Sequence, residues 1–298
     1  MDKKIAVVTG GGRGMGFAAA KKLAEKYYVI ITDVNEENLN NAVKELKDAG
    51  FDAEGKICDV SDRAKVEEVA KYAAEKGDIQ AVVNIAGLSP SMSKGSIIWK
   101  VNAIGTQNMS ECFTPYMKAK SCICCFSSMS GDMLPDFQAV RSLHNLYNKN
   151  PKKYNETIMA VMDKMPDGIS GALGYMFSKN FVNYWAKLYS RKLVDTDIRI
   201  VTISPGDFAT PMGMLEKDGA ATYIPGAQIR RFGDPEEMAF LVDCVVDERN
   251  SYLTGCEILN DGGVIASLTT SLPYMLKATV DAGLNQFHLK EKIPFLKK

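Results

Sequence analysis

Residues 9–16 read Thr9-Gly10-Gly11-Gly12-Arg13-Gly14-Met15-Gly16, set between the apolar run Ile5 to Val8 and the helically spaced segment Phe17 to Lys26. Glycines in a strand-to-helix turn permit the tight bend and let backbone N–H groups approach a pyrophosphate. They also let the helix pack close to the strand, and its N-terminus favours the anion. Gly10, Arg13, Gly14, Met15 and Gly16 are therefore the expected phosphate-side contacts of a dinucleotide. Asp33 closes the next apolar run, near the roughly 20-residue spacing at which a carboxylate meets the adenosine ribose hydroxyls. A carboxylate there accepts from the 2′-hydroxyl of NAD and repels the 2′-phosphate of NADP. Arg13 pulls the other way, as a guanidinium able to pair with that phosphate, with Asp33, or only with water. Asp33 is given the greater weight, so NAD is expected over NADP.

Outward from this turn, short apolar runs alternate with longer amphipathic segments. Strands are expected near 4–9, 27–32, 52–57, 79–84, 121–126, 197–203 and 256–259, with helices near 15–25, 36–48, 62–76, 97–118, 173–193 and 235–247. This repetition of βα units predicts an α/β fold, a Rossmann-type doubly wound parallel sheet. Residues 1–263 are expected to form one dinucleotide-binding catalytic domain, with two decorations. A helical insertion occupies 131–170, where Phe137, Val140, Leu143, Leu146 and Tyr147, then Tyr154, Ile158, Val161 and Met165, fall at helical spacing on either side of Asn150-Pro151. A C-terminal extension covers 264–298, with an apolar run around Leu272 to Leu276.

The chain has 298 residues, 46% hydrophobic and 24% charged, which is the composition of a globular protein and argues against disorder. Lys+Arg and Asp+Glu both number 36, so no net field draws it to a polyanion, and no nucleic acid partner is expected. No apolar stretch is long enough for a membrane span and the N-terminus lacks signal-peptide character, so no membrane association is expected. Seven cysteines without regular spacing predict free thiols and a cytoplasmic setting. Cys122, Cys124 and Cys125 lie in an apolar run and read as a buried strand, with no metal expected.

Tyr175 and Lys179 share a face if helical. An ammonium beside a phenol favours the phenolate, bringing a group that titrates near pH 10 toward proton transfer at neutral pH. With Thr9 to Gly16, Asp59 in Cys58-Asp59-Val60, Asn84-Ile85-Ala86-Gly87, Asn102, Ser128, and Pro205-Gly206 through Thr210, they stand in the order found in the short-chain dehydrogenase/reductase family, which residues 4–263 resemble. The resemblance implies Tyr175 as general acid/base, Ser128 holding the carbonyl oxygen, and Lys179 binding the nicotinamide ribose while lowering the tyrosine pKa. It implies Asn102 as the anchor of a water linking Lys179 to solvent. Asp59 and Val60 would contact adenine, Asn84, Ala86 and Gly87 would run along the adenosine side, and Pro205, Phe208 and Thr210 would meet the nicotinamide end. Each has a structural alternative: Ser128 capping a turn, Asn102 satisfying backbone at a helix bend, Asp59 capping the next helix.

Two departures narrow the resemblance. Ile85 replaces the usual second asparagine. Asn84 and Asn102 stand closer than in most members, while Ser128 and Tyr175 stand much further apart. This combination resembles the bacterial 3α-hydroxysteroid dehydrogenase/carbonyl reductase subgroup. The insertion must emerge beside the reacting carbonyl, so Met129, Met133, Leu134, Phe137, Met159, Met162 and Met165 are candidates for an apolar wall, or else simply pack the insertion on the domain. Met212, Met214, Leu215 and Tyr223 suggest a second wall on a lid with Gly213 and Gly219 as flexible points. His144 reads either as a second acid or as a packing residue. Tyr274, Met275, Phe287 and Phe295 close the pocket, cross an interface or pack locally. The expectation is an NAD-preferring oxidoreductase acting on a small apolar substrate, a steroid or bile acid, as a homodimer or homotetramer. A general carbonyl reductase, an acyl-thioester ketoreductase and a dinucleotide-sensing protein without turnover are the alternatives.

Overall fold

A computed structural model describes residues 4–134 and 138–270. The expectations for Phe137 and for Leu272 to Leu276, Tyr274, Phe287 and Phe295 lie outside the described residues. The chain runs β1 (Lys4–Thr9), α1 (Gly14–Ala24), β2 (Tyr28–Asp33), α2 (Glu36–Asp48), β3 (Ala53–Ile57), α3 (Arg63–Lys76) and β4 (Asp78–Asn84). It continues with α4 (Gly95–Trp99), a π-helical turn (Lys100–Ile104), α5 (Gly105–Phe113) and β5 (Met117–Phe126). Then come α6 (Met129–Asp132), α7 (Gln138–Lys149), α8 (Pro151–Asp163), α9 (Asp167–Ser190) and β6 (Arg199–Pro205). The last elements are α10 (Pro211–Leu215), α11 (Lys217–Tyr223), α12 (Pro235–Val246), β7 (Cys256–Asn260) and α13 (Val264–Thr270).

The seven strands form one parallel sheet in the order β3-β2-β1-β4-β5-β6-β7. Side-chain alternation splits each strand between two cores. Val7, Ile30, Val82 and Cys125 face α3, α5 and α9, whereas Val8, Ile31, Val83, Cys122 and Cys124 face α1, α2 and α12. The cysteine run is thus a central strand buried on both faces, where desolvation pushes all three thiols up. The strand order reverses between β1 and β4, the topological switch point at which such sheets bind ligands.

Two boundaries differ from the sequence expectation. The helix expected to reach 118 stops at Phe113, because Pro115 cannot donate to a helical ladder and sits in a 3₁₀ turn, Thr114–Tyr116; β5 starts at Met117 accordingly. The helix expected from 173 starts at Asp167. Its first turns carry Gly171 and Gly174, which pack against backbone: a Cβ on Gly174 would meet Gly95 Cα at 2.4 Å, and one on Gly171 would meet the Pro90 carbonyl at 2.3 Å. Glycine here serves a close helix crossing rather than a break.

The insertion folds as the two helices α7 and α8, joined at Asn150, whose side chain accepts from the Lys153 N–H at 3.0 Å, with Pro151 in the first turn. Tyr147, Tyr154, Ile158 and Met162 enter the core beside Trp99, Phe181 and Trp185, while Leu146 and Val161 face solvent. Aromatic rings interlock at this seam, Trp99 with Phe181 at 5.3 Å and Tyr154 stacked on Phe181 at 5.7 Å. Ser170 Oγ donates to the Met162 carbonyl at 2.7 Å and accepts from the Gly95 N–H at 3.0 Å, joining α8, α9 and α4.

His144 is a packing residue in this seam. The Asn180 amide donates to the Gly131 carbonyl at 2.9 Å, which turns its Oδ1 toward His144 Nε2 at 2.9 Å. Nε2 therefore carries the proton and Nδ1 accepts from the Tyr154 hydroxyl at 3.0 Å. Burial lowers the imidazole pKa. Below its usual 6.5 the unfolded chain takes up a proton that the folded state resists, so stability falls as pH drops through that region. His144→Leu is expected to lose about 2–4 kcal/mol at pH 7, by stranding Tyr154 and Asn180, and to flatten the acid slope. Chemical denaturation at pH 5.5 and pH 7.5 checks both; an unchanged slope would remove His144 as its source.

Candidate active site

The glycine turn wraps the C-terminal ends of β1 and β4. Gly10 has φ +62°, and a Cβ on it would meet Ala86 Cα at 2.9 Å; one on Gly16 would meet the Gly10 carbonyl at 2.1 Å. No side chain fits at either position. Helices α2, α3 and α8 are capped by Asn35, Asp62 and Asn150, but α1 has no side-chain cap and no acidic residue in its first turn. Its leading N–H groups, at Gly14, Met15 and Gly16, are left for an anion. Asp33 is held beside this turn, accepting from the Gly12 N–H at 3.1 Å and the Asn35 N–H at 3.0 Å. Arg13 is exposed and makes no ion pair among the described residues, so the pairing with Asp33 considered from sequence does not form. These features fit a dinucleotide: an uncapped helix end for the pyrophosphate and a fixed carboxylate for the ribose.

Asn84 and Thr9 face each other across the β1–β4 seam. The Asn84 Oδ1 accepts from the Thr9 hydroxyl at 2.9 Å, Nδ2 donates to the Thr106 hydroxyl at 2.8 Å, and the residue is 2% exposed. Its side chain is committed inside the protein, where it sets the turn that carries Ala86 and Gly87. Asp59 accepts from the Ser61 N–H at 2.9 Å, and Asp62 rather than Asp59 caps α3. Val60 is buried against Gly105, its carbonyl accepting from Asn108 at 2.9 Å.

Asn102 lies in the π-helical turn, a form common at functional sites. Its Oδ1 accepts from the Leu88 N–H at 2.8 Å and its Nδ2 donates to the Leu88 carbonyl at 3.1 Å, so from the helix bend it satisfies the backbone of the loop after β4. A Cβ on Gly87 would stand 3.1 Å from this Oδ1 and 3.5 Å from Lys179 Nζ, which brings Gly87, Asn102 and Lys179 together. Lys179, 6% exposed, donates from Nζ to the Phe126 carbonyl at 2.9 Å and lies 5.7 Å from the centre of the Tyr175 ring. Ser128 caps α6 through a bond from the Ser130 N–H at 3.2 Å and is close enough to the Tyr175 phenol to favour its ionised form. The next-door Ser127 hydroxyl donates to the Lys179 carbonyl at 2.7 Å, locking this segment to α9. At the far side, a Cβ on Gly14 would meet Thr210 Cβ at 3.3 Å, so the phosphate turn and the segment after Pro205-Gly206 close on each other.

Burial dominates the electrostatics. It pushes the Tyr175 phenol up to about 12, with Ser128 lowering it and Asp207 and Glu216 raising it. Burial likewise pushes the Lys179 ammonium down to about 8. The expected lowering of the phenol by Lys179 is thus not the main effect here: the ammonium points at the Phe126 carbonyl and desolvation prevails.

The profile described as short chain dehydrogenase matches residues 4–140, and that described as Enoyl-(Acyl carrier protein) reductase matches residues 148–265. The chain belongs to the short-chain dehydrogenase/reductase family. It is 26% identical over 275 residues to the 3-oxoacyl-(acyl-carrier-protein) reductase FabG of Thermotoga maritima, covering 89% of this chain and 99% of that protein. A 3alpha-hydroxysteroid dehydrogenase of Mediterraneibacter gnavus is 27% identical over 279 residues, covering 90% and 98%. A solved dehydrogenase/reductase from Sinorhizobium meliloti superposes with TM-score 0.71 at 22% identity, covering 89% and 96%, and shows the shared fold. As a short-chain dehydrogenase/reductase, the chain is an NAD(P)-dependent oxidoreductase acting on alcohols or ketones.

In this short-chain dehydrogenase/reductase the wall candidates divide between two clusters. Met159, Met162 and Met165 pack into the main core. Met129 and Met133, beside Ser128, instead cluster with Tyr223, Ala227, Val264 and Leu268 from the lid and α13. On the lid, Met214 and Leu215 are exposed. A Cβ on Gly213 would meet the Phe208 carbonyl at 2.1 Å, so this glycine serves close packing rather than flexure, while Gly219 stands open. Glu216 accepts from the Ser91 N–H at 3.1 Å and hydroxyl at 2.6 Å, tying the lid to the loop after β4. Sequence reading missed Asp207, Glu216 and Asn180. The available signal was position: an acid directly after Pro205-Gly206, and a side-chain amide directly after Lys179.

Proposed function

We propose that the chain is an NAD-preferring hydroxysteroid dehydrogenase that interconverts a secondary alcohol and a ketone on a steroid or bile acid. The observation that carries the substrate reading is the apolar cluster of Met129, Met133, Tyr223, Ala227, Val264 and Leu268 set directly beside Ser128. The nicotinamide, when bound, takes up or returns hydride. Tyr175 carries the hydroxyl proton away in oxidation and supplies it in reduction, Ser128 holds the oxygen in line with the phenol, and Lys179 holds the ribose. Gly10, Gly14, Met15, Gly16, Asp59, Val60, Ala86, Gly87, Phe208 and Thr210 form the remaining dinucleotide surface through backbone and close packing. A general carbonyl reductase or acyl-thioester ketoreductase is the second reading, favoured by similarity to the FabG protein of Thermotoga maritima.

The test is nicotinamide absorbance with NAD and NADP against a panel of hydroxysteroids, bile acids and simple secondary alcohols. Position-selective steroid oxidation supports the first reading; turnover of small carbonyls or acyl thioesters alone transfers support to the second. The exposed Phe240 and Leu259 beside edge strand β7 support assembly as a homodimer or homotetramer, which a monomer in light scattering would overturn.

Asp33 is fixed by two backbone donors, which supports NAD against the pull of the exposed Arg13 toward a 2′-phosphate. Asp33→Ala is expected to reduce the NAD-over-NADP preference in kcat/KM by about 10- to 100-fold, since it removes a charge repelled by the 2′-phosphate and an acceptor for the hydroxyl. An unaltered ratio would remove Asp33 from cofactor choice.

A further inference from the structure

Asp207 follows the Pro205-Gly206 turn and lines a cavity of about 200 Å³ with Ile224, Ile229, Asn260 and Val264. Carboxylates crowd this region, and three of them are spent within the fold. Asp261 accepts from the N–H groups of Gly263 at 2.9 Å and Ile265 at 2.7 Å. Glu237 grips Arg231 at 2.8 and 2.7 Å and accepts from the Asp234 N–H at 2.8 Å, and Glu216 is held by Ser91. Arg231, also at the cavity, is thereby neutralised. Asp207 differs: its Oδ2 is buried with no hydrogen-bond partner among the described residues.

The backbone that carries the carboxylate is fixed in place. The Asp207 carbonyl accepts from the Gly233 N–H at 2.9 Å, and the preceding Gly206 N–H donates to the Asn260 carbonyl at 2.9 Å. Desolvating a carboxylate oxygen without a donor is costly, and such a group persists where a ligand supplies the donor. Val264, in the wall of this cavity, also packs in the apolar cluster that holds Met129, next in sequence to Ser128, and the Asp207 charge acts on the Tyr175 phenol. The missing donor therefore belongs to something that sits close to the reacting centre.

We infer that Asp207 is a specificity-determining residue that accepts a hydrogen bond from a second hydroxyl on the substrate, borne near the reacting carbon. The same acidic surround disfavours a carboxylate or phosphate at that position, because like charges desolvated together repel. A vicinal diol or hydroxyketone on an apolar frame fits, and a polyhydroxylated steroid is one such frame. The inference rests on the alcohol–ketone reading above, with Tyr175 at the reacting centre.

The test pairs each mono-alcohol of the panel with its vicinal diol: cyclohexanol with 1,2-cyclohexanediol, and a 3-hydroxysteroid with its 2,3-dihydroxy analogue. Wild type, Asp207→Ala and Asp207→Asn are compared by kcat/KM, with NADH affinity measured by fluorescence. The expected result is a wild-type preference for the diol of at least tenfold, which Asp207→Ala abolishes and Asp207→Asn reduces. Equal wild-type rates on diol and mono-alcohol would overturn the Asp207 role while leaving the alcohol–ketone reading intact. A preference that survives in Asp207→Ala, with weakened NADH binding, would assign the missing donor to the cofactor and overturn it too. If wild type oxidises none of these alcohols, the reading falls and this inference falls with it.

Discussion

Tyr175→Phe is expected to lower kcat by about 10²–10⁴-fold while NADH binding stays within about twofold of wild type. The phenol oxygen is the group whose proton Ser128 influences, and nothing in the glycine turn depends on it. The pH dependence has a sign. Burial, reinforced by Asp207 and Glu216, holds the phenol up to about 12, so the proton is present at neutral pH. Ketone reduction, which consumes that proton, should be nearly flat from pH 6 to 8. Alcohol oxidation needs the phenolate and should rise with pH, by up to about tenfold per unit below the pKa. Stopped-flow rates in both directions check this; a Phe variant that still turns over, or oxidation that is flat with pH, would remove Tyr175 as the proton carrier.

Lys179→Met is expected to separate activity from stability. Turnover should fall by about 10²-fold or more, because the ammonium is the cation that Gly87, Asn102 and Tyr175 surround. Stability should rise. Burial holds the ammonium down to about 8 in the folded protein against 10.5 otherwise, so between those values the unfolded chain binds more protons and wild-type stability increases with pH. Below pH 8 the full cost of the buried charge is present. That shift is worth about 3 kcal/mol, offset by about 1 kcal/mol for the Phe126 carbonyl left without its donor, so the variant gains about 2 kcal/mol at pH 7. The gain should vanish toward pH 10.5. Denaturant titrations at pH 7 and pH 10 decide it, and a variant less stable than wild type at pH 7 would show that Lys179 is well solvated or better paired than its single carbonyl bond indicates.

Much of this was legible from local sequence because local rules decide it. The glycine turn can adopt one kind of geometry, Asp33 ends a strand whose neighbour carries that turn, and the Tyr175–Lys179 spacing is a helix spacing. The two insertion helices were readable from Asn150-Pro151, a cap followed by a first-turn proline. What each helix face touches was not readable, since periodicity gives a buried stripe without naming its partner. Met159, Met162 and Met165 show this: they look like a substrate wall from their place in the chain, yet they fill the core beside Trp99 and Phe181.

The sequence by itself determined the sheet, the glycine turn, the family and the placing of Tyr175 and Lys179 on one helix, because strand alternation, glycine sterics and helical spacing act over a few residues. The tertiary structure decided everything that depends on pairs distant in the chain. It placed His144 as a clamp on Asn180, turned Lys179 toward the Phe126 carbonyl, satisfied Asn84 and Asn102 internally, and left Asp207 with a buried oxygen in want of a donor. Desolvation is the physical reason: whether a polar group is spent or available depends on which atoms surround it, and those atoms come from elements far apart in sequence.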